Sequence, residues 1–286
     1  MNNKLLDAAV SFIVGDAFGV PYEFTPRESI EVNEKMIGYG SHNQPAGTWS
    51  DDSSMLLATI DAIRFSYFDA RLIALNFLHW LYTGKYTKYG KVFDIGARTY
   101  QALSWYNTHH TFLDGDEFSN GNGALMRILP LAFLDNLSDQ KINDIAAITH
   151  PHEISKACCR IYVKFIRAML DECNDADLRE KIVELNDNEN GILDIYAIFH
   201  IDRTGIKSTG YVVDTLEAVL WSFFHTNSYK EAIIEAVRLG YDTDTIAALT
   251  GALAGIKYGM GDIPYAWYDQ TITQDIINLI DRTISA

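Results

Sequence analysis

The apolar residues of this chain repeat with the period of a helix almost from end to end, which leaves little room for a sheet. Leu5, Ala8, Ala9, Phe12 and Ile13 share one helical face, as do Met55, Leu56, Thr59, Ile60 and Ile63. The stretches 70–83, 93–106, 123–134, 138–149, 153–172, 213–224, 228–239, 244–257 and 273–283 follow the same pattern. No convincing alternating run marks a strand, and the short piece 192–198 reads equally as helix or strand. About ten helices joined by short loops predict an all-α helical bundle. No Pro- or Ser-rich linker divides the chain, so residues 1–286 read as a single domain, long enough to bury a core without disulfides or structural metal.

The formal net charge of −15 argues against nucleic acid as a partner, since phosphate binding needs Lys and Arg to displace counterions. Two readings of that charge coexist: a solvated acidic surface, and aspartates that converge on bound cations. Cys158, Cys159 and Cys173 are odd in number, two are adjacent, and all lie in a helical segment, so they read as buried thiols rather than a disulfide framework. No zinc spacing is present. The N-terminus lacks the features of a signal peptide, and no apolar stretch reads as membrane-spanning, so the expectation is a cytoplasmic protein with no membrane partner.

Three irregular segments, 24–50, 107–123 and 199–211, are long for loops in a compact fold, and such loops often carry function. Gly47-Thr48-Trp49-Ser50-Asp51-Asp52-Ser53 stands where the first becomes a helix. Taken alone it is an N-terminal cap: serine accepts from the first turn and acids there favour the helix dipole. A second cluster, Gly240-Tyr241-Asp242-Thr243-Asp244-Thr245, precedes another apolar helix and repeats that chemistry. Four carboxylates with two hydroxyls make an all-oxygen donor set suited to Mg²⁺, Mn²⁺ or Ca²⁺ rather than zinc. Two such clusters suffice for two ions if the fold brings them together. Ser119-Asn120-Gly121-Asn122-Gly123 leads into an apolar stretch, as a tight turn or as a phosphate-accepting one. Gly15 and Gly19 interrupt an apolar helix and predict close packing, with Glu23 at its end; His150 ends a helix before Pro151.

GDAFGVPYEF (15–24), GTWSDDSSM (47–55), NGNGALMR (120–127), ITHPHEIS (148–155), GYVVDTLEAVLW (210–221) and GYDTDTIAALTGALAGIKYG (240–259), in this order, resemble the ADP-ribosylglycohydrolase family, which includes the dinitrogenase-reductase-activating glycohydrolases. The resemblance spans nearly the whole chain. It implies a single-domain orthogonal helical bundle with a central cleft holding two Mg²⁺ (or Mn²⁺). Carried over residue by residue, it implies Ser50, Asp51, Asp52, Asp242, Asp244 and Thr245 as metal ligands, and Glu23, Asp242 and Asp244 as catalytic acids or bases. It further implies Ser119, Asn120, Gly121, Asn122 and Gly123 around the diphosphate and distal ribose, with His150 lining the ligand cleft and Tyr211 at an aromatic position that can face the adenine or adenosine side. The implied activity is metal-dependent release of ADP-ribose by cleavage at the anomeric carbon. The expected partner is an ADP-ribosylated protein, foremost one modified on arginine, or a small-molecule ADP-ribose conjugate. A catalytically silent ADP-ribose binder and a two-metal phosphohydrolase are the competing readings. The second metal motif usually reads Gly-Gly-Asp, and Tyr241 replaces its second glycine; Ser50 and Ser53 stand where threonine is common. Hydroxyl for hydroxyl preserves the oxygen donor, so Tyr241 bears on cleft shape and substrate choice more than on metal.

Overall fold

The computed structural model describes residues 2–63, 69–117, 119–171 and 174–284. At its centre two apolar helices, α1 (Asn2–Gly19) and α11 (Thr243–Tyr258), pack along their length. Their small residues allow the approach: a Cβ at Gly19 would lie 2.5 Å from Asp244 Cα, so glycine alone lets the end of α1 meet the start of α11. Every residue of α11 from Thr243 to Ile256 is buried. A helix apolar on all sides needs neighbours on all sides, and α1, α9 (Val212–Phe224) and α10 (Tyr229–Arg238) supply them. The helical periodicity was thus a sound guide to fold class, and no strand occurs among the described residues.

Around this centre lie α2 (Asp51–Ile63), α3 (Ala70–Thr83), α4 (Ala97–His109), α5 (Asp139–Ala146), α6 (Glu153–Leu170), α7 (Asp175–Asn188), α8 (Ile195–His200), α12 (Tyr265–Thr271) and α13 (Gln274–Ile284). Three of these, α7, α8 and α12, go beyond the expected set. Two expectations need correction. The stretch 123–134 is no α-helix but two 3-10 turns, Asn122–Arg127 and Leu129–Phe133. Pro130 lacks the N–H that would continue an α-helix, and its ring clashes with the preceding turn. The span Lys4–Tyr22 is, contrary to expectation, long and apolar enough to cross a membrane by length and composition, but 89% of its window is buried inside the protein. Cys158 and Cys159 are buried free thiols in α6, whereas Cys173 lies outside the described residues.

Candidate active site

Helices α2 and α11 begin close together, and the acid clusters ahead of and within their first turns come together with them. Carboxylate oxygens of Asp16, Asp52 and Asp244 all lie within 4.8 Å of one another, as do those of Glu23, Asp242 and Asp244. Thr245 Oγ1 donates to Asp52 Oδ2 at 3.1 Å, a direct bond between the two clusters. Ser50 precedes α2 and accepts from the Asp52 N–H at 3.2 Å, so its capping role is present. Asp242 stands at the N-cap of α11, yet its side chain makes no cap bond. Instead it accepts from Asn122 Nδ2 at 2.6 Å, tying the 119–123 segment to the acid cluster.

Burial sets the electrostatics. Asp51, Asp52 and Asp244 are pushed well above the usual carboxylate range, first by desolvation and then by neighbouring acids. Asp242 and Asp94 are raised for the same leading reason. Like charges this close cannot all ionise unaided, and a hard divalent cation is the partner that an all-oxygen donor set fits. Such an ion would reverse the local logic and hold the acids ionised.

Asp16 lies inside α1, within the 15–24 stretch, and the resemblance assigns it no role. Its carboxylate accepts the Ser50 N–H at 3.0 Å, the Ser53 N–H at 3.0 Å and the Ser53 hydroxyl at 2.5 Å, fixing the start of α2. Burial nevertheless lifts its pKa to about 6. A lone acid in an apolar helical pattern was the available signal. His42 and Asp94 went unread, because single polar residues in irregular loops carry no period. His42 Nε2 pairs with Glu23 Oε2 and stands 4.0 Å from Asp94 Oδ2. Desolvation raises Glu23 to about 7 against the lowering effect of that pair, and the same hydrogen bond pushes His42 up.

A cavity of about 510 Å³ opens over these groups, and its lining includes Glu23, Asp51, Asp242 and Thr245. Gly121, Asn122, Gly123 and His150 form another part of its wall. A Cβ at Gly123 would sit 2.6 Å from His150 Cε1, so that glycine seats the imidazole. His150 accepts or donates at Nδ1 with Thr149 Oγ1 at 2.7 Å, and burial with Arg127 and Arg98 nearby lowers it to about 3, leaving it neutral. Arg98 is the sole Lys or Arg on the wall among the described residues. Ser119, Asn120 and Tyr211 are placed differently. Ser119 is buried and donates to Asp116 Oδ1 at 2.8 Å, and the Asn120 carbonyl accepts the Val212 N–H at 3.1 Å. Tyr211 forms an isolated antiparallel bridge with Gly121, and these three brace the turn rather than line the cavity.

An acid-floored cleft at two converging helix N-termini in an all-helical fold has the donor groups that a metal-assisted hydrolase would use. The ADP-ribosylglycohydrolase family profile matches residues 1–286. The chain is 32% identical over 292 residues to the ADP-ribosylarginine hydrolase Tri1 of Serratia proteamaculans (strain 568), covering 98% of this chain and 78% of that one. It is 30% identical over 297 residues to the ADP-ribosyl-[dinitrogen reductase] glycohydrolase of Rhodospirillum rubrum, covering 100% of this chain and 97% of the relative. A solved structure titled ADP-ribosylglycohydrolase-related protein complex superposes with a TM-score of 0.83 at 27% identity, covering 99% and 98% of the two chains. The chain belongs to the ADP-ribosylglycohydrolase family, a glycosidic-bond hydrolase that removes ADP-ribose from a modified substrate.

Proposed function

We propose that this hydrolase releases ADP-ribose from arginine-linked conjugates, foremost modified proteins, with two Mg²⁺ or Mn²⁺ ions held by Ser50, Asp51, Asp52, Asp242, Asp244 and Thr245. The observation that carries the metal assignment is the convergence of the two acid clusters, with carboxylate oxygens from both α2 and α11 within 4.8 Å. The arginine linkage is supported by the names of relatives spanning almost the entire chain, the ADP-ribosylarginine hydrolases of Serratia proteamaculans and Pseudomonas putida. Bound divalent ions would supply Lewis acidity toward ribose hydroxyls and water.

The chain's own groups divide the remaining work. The 121–123 turn and Arg98 line the cavity where a diphosphate needs donors and positive charge. Neutral His150 adds hydrogen bonding without charge. Asn122 fixes the Asp242 carboxylate through its 2.6 Å bond. Glu23, raised to about 7 by burial, is suited to take a proton near neutrality. An arginine conjugate already bears a guanidinium, so its nitrogen departs with the C1″–N electron pair as neutral guanidine and needs no prior acid. The water that forms the new C1″–O bond is the group that needs a base; its proton passes to Glu23 and then to the departing guanidine. The glycosyl carbon carries oxocarbenium-like charge meanwhile, which the surrounding carboxylates favour.

Release of free ADP-ribose from a panel of arginine-, serine- and acyl-linked substrates, in Mg²⁺, Mn²⁺ or EDTA, tests the whole reading. Arginine-linked turnover that EDTA removes is expected. Turnover undiminished by exhaustive chelation sinks the metal assignment, and exclusive turnover of another linkage sinks the arginine one.

A further inference from the structure

We propose that Phe24 and Tyr241 form an aromatic jaw that receives the flat guanidinium of the leaving group and so sets selectivity for arginine-linked conjugates. This rests on the glycohydrolase reading above and assigns the part of its cleft that recognises the leaving group.

The two residues come from distant loops and are locked together through their backbones. The Phe24 N–H donates to the Tyr241 carbonyl at 2.7 Å, and the Tyr241 N–H donates to the Thr25 carbonyl at 2.9 Å. Both are left-handed, with φ of 62° and 61°. That region is costly for a bulky side chain, whereas glycine or asparagine enters it readily. Strain of this kind persists where surrounding structure enforces it, and it gathers at functional sites. Asp94, at φ 50°, is a third left-handed non-glycine residue on the same cavity.

The side chains so placed are left largely in solvent: Phe24 is 66% exposed and Tyr241 43%, and both line the cavity. Packing therefore does not explain them. Each is the chain neighbour of a cleft acid, Phe24 of Glu23 and Tyr241 of Asp242. The Phe24 ring also lies tilted 5.6 Å from His42, which holds Glu23.

Aromatic faces beside carboxylates select one ligand chemistry. A guanidinium is planar, weakly hydrated and positive; it stacks on rings and donates to carboxylates at once. A diphosphate is repelled by Glu23 and Asp94. An adenine gains from the rings but nothing from the acids. A neutral serine linkage gains from neither.

The test uses Phe24→Asn and Tyr241→Asn, since asparagine keeps the left-handed backbone while deleting the ring, with Tyr241→Phe as the conservative control. Three quantities are measured on the metal-loaded protein: KM and kcat for an ADP-ribosyl-arginine substrate, and Kd for free ADP-ribose by calorimetry. The ring faces stack on the guanidine plane in the bound substrate and still in the transition state, so what is lost is uniform binding and the loss falls on KM. Each asparagine variant is expected to raise KM about tenfold, with kcat and the ADP-ribose Kd held and Tyr241→Phe behaving as wild type. A Kd that weakens in step with KM assigns the rings to the ADP-ribose moiety and overturns the proposal, as does an unmoved KM. A wild-type protein that cleaves only serine or acyl linkages also overturns it while leaving the hydrolase standing. No turnover of any linkage brings down the hydrolase reading itself.

Discussion

The Thr245 hydroxyl donates a hydrogen bond to the Asp52 carboxylate across 3.1 Å, joining positions 193 residues apart in the chain. The bond means that α2 and α11 meet end to end at their N-termini. The positive ends of both helix dipoles face one volume, which tolerates buried acids there better than elsewhere. Asp16 accepts two backbone N–H groups and one hydroxyl from Ser50 and Ser53 at the start of α2, so the floor of the cleft is part helix cap and part acid cage.

Removing one carboxylate from that cage separates stability from function. Asp244→Asn deletes an acid whose burial and neighbours push it well above the carboxylate range. The metal-free variant should melt at a higher temperature than the metal-free wild type at pH 8, because one repulsion is gone. Its turnover should fall by about 10²-fold or more, and its calorimetric signal for Mn²⁺ should weaken. A variant that keeps full turnover would refute the role given to Asp244.

Stability of the metal-free protein should fall as pH rises from 6.5 to 8. Asp16, Glu23 and Glu217 have folded pKa values of about 6, 7 and 7 against 3.8, 4.5 and 4.5 in free chains. A raised acid binds its proton more tightly when folded, so its contribution is complete below the free value and lost as pH climbs through the folded one. His150 runs the other way: lowered to about 3 from 6.5, its contribution is lost as pH falls between those values. Above pH 6.5 the raised acids set the slope together with His42, which its bond to Glu23 pushes above its ordinary value and whose contribution is likewise lost as pH rises. Mg²⁺ or Mn²⁺ should flatten it for the cleft acids but not for Glu217, which accepts the Asp194 N–H at 2.6 Å outside the cleft lining. Melting curves of wild type and Glu217→Gln, with and without metal, decide this; a slope that rises with pH above 6.5 contradicts it.

The fold class was legible because helical packing imprints a period on the sequence. The two acid clusters were legible because each combines a cap residue, acids and an apolar run. The stretch 123–134 misled because its apolar residues are spaced for a helix that Pro130 forbids. His42 and Asp94 were invisible because they act through tertiary placement: the loop carrying Asp94 joins α3 to α4, and only folding brings it to 4.0 Å from His42. Tyr241 was noticed as a bulky replacement for glycine, and the structure keeps the left-handed backbone at φ 61° and places the ring on the cavity wall.

Glu23 as the base fixes the direction of the pH–rate profile. The carboxyl, near 7 when the cleft is metal-free, must be ionised to take a proton from water. Bound cations favour the ionised form and bring the midpoint lower. The kcat/KM for an arginine-linked substrate should therefore rise with pH through a midpoint at or below about 7. Glu23→Gln should lose that limb and about 10²–10⁴-fold in rate. His42→Gln should move the midpoint rather than abolish it, since His42 pairs with Glu23 Oε2 and contributes to its ionisation. A profile that falls with pH in this range would make Glu23 an acid instead.

Arg127 supplies the last test, of the turn rather than the acids. Its guanidinium is fully buried, donates through Nη1 to the Gly123 carbonyl and through Nη2 to the Ile145 carbonyl at 3.2 Å, and lies 5.0 Å over the Phe77 ring. Desolvation lowers its pKa to about 10, so it remains charged at neutral pH and its burial must be offset by these contacts. Arg127→Met fills similar volume but takes a charged donor from the Gly123 and Ile145 carbonyls, the second of which still accepts the Ile148 N–H at 3.3 Å, at a cost of about 1–3 kcal/mol for the lost charge-assisted bonds. The turn then loses the anchor behind Gly123, whose position seats His150. The variant should melt at a lower temperature and bind free ADP-ribose more weakly, while its Mn²⁺ affinity stays near wild type because Arg127 bonds to none of the proposed ligands. Calorimetry with each ligand separately checks it: parallel loss of both affinities would mean that the turn and the acid cage fold as one unit, and that Asn122's bond to Asp242 carries the strain between them.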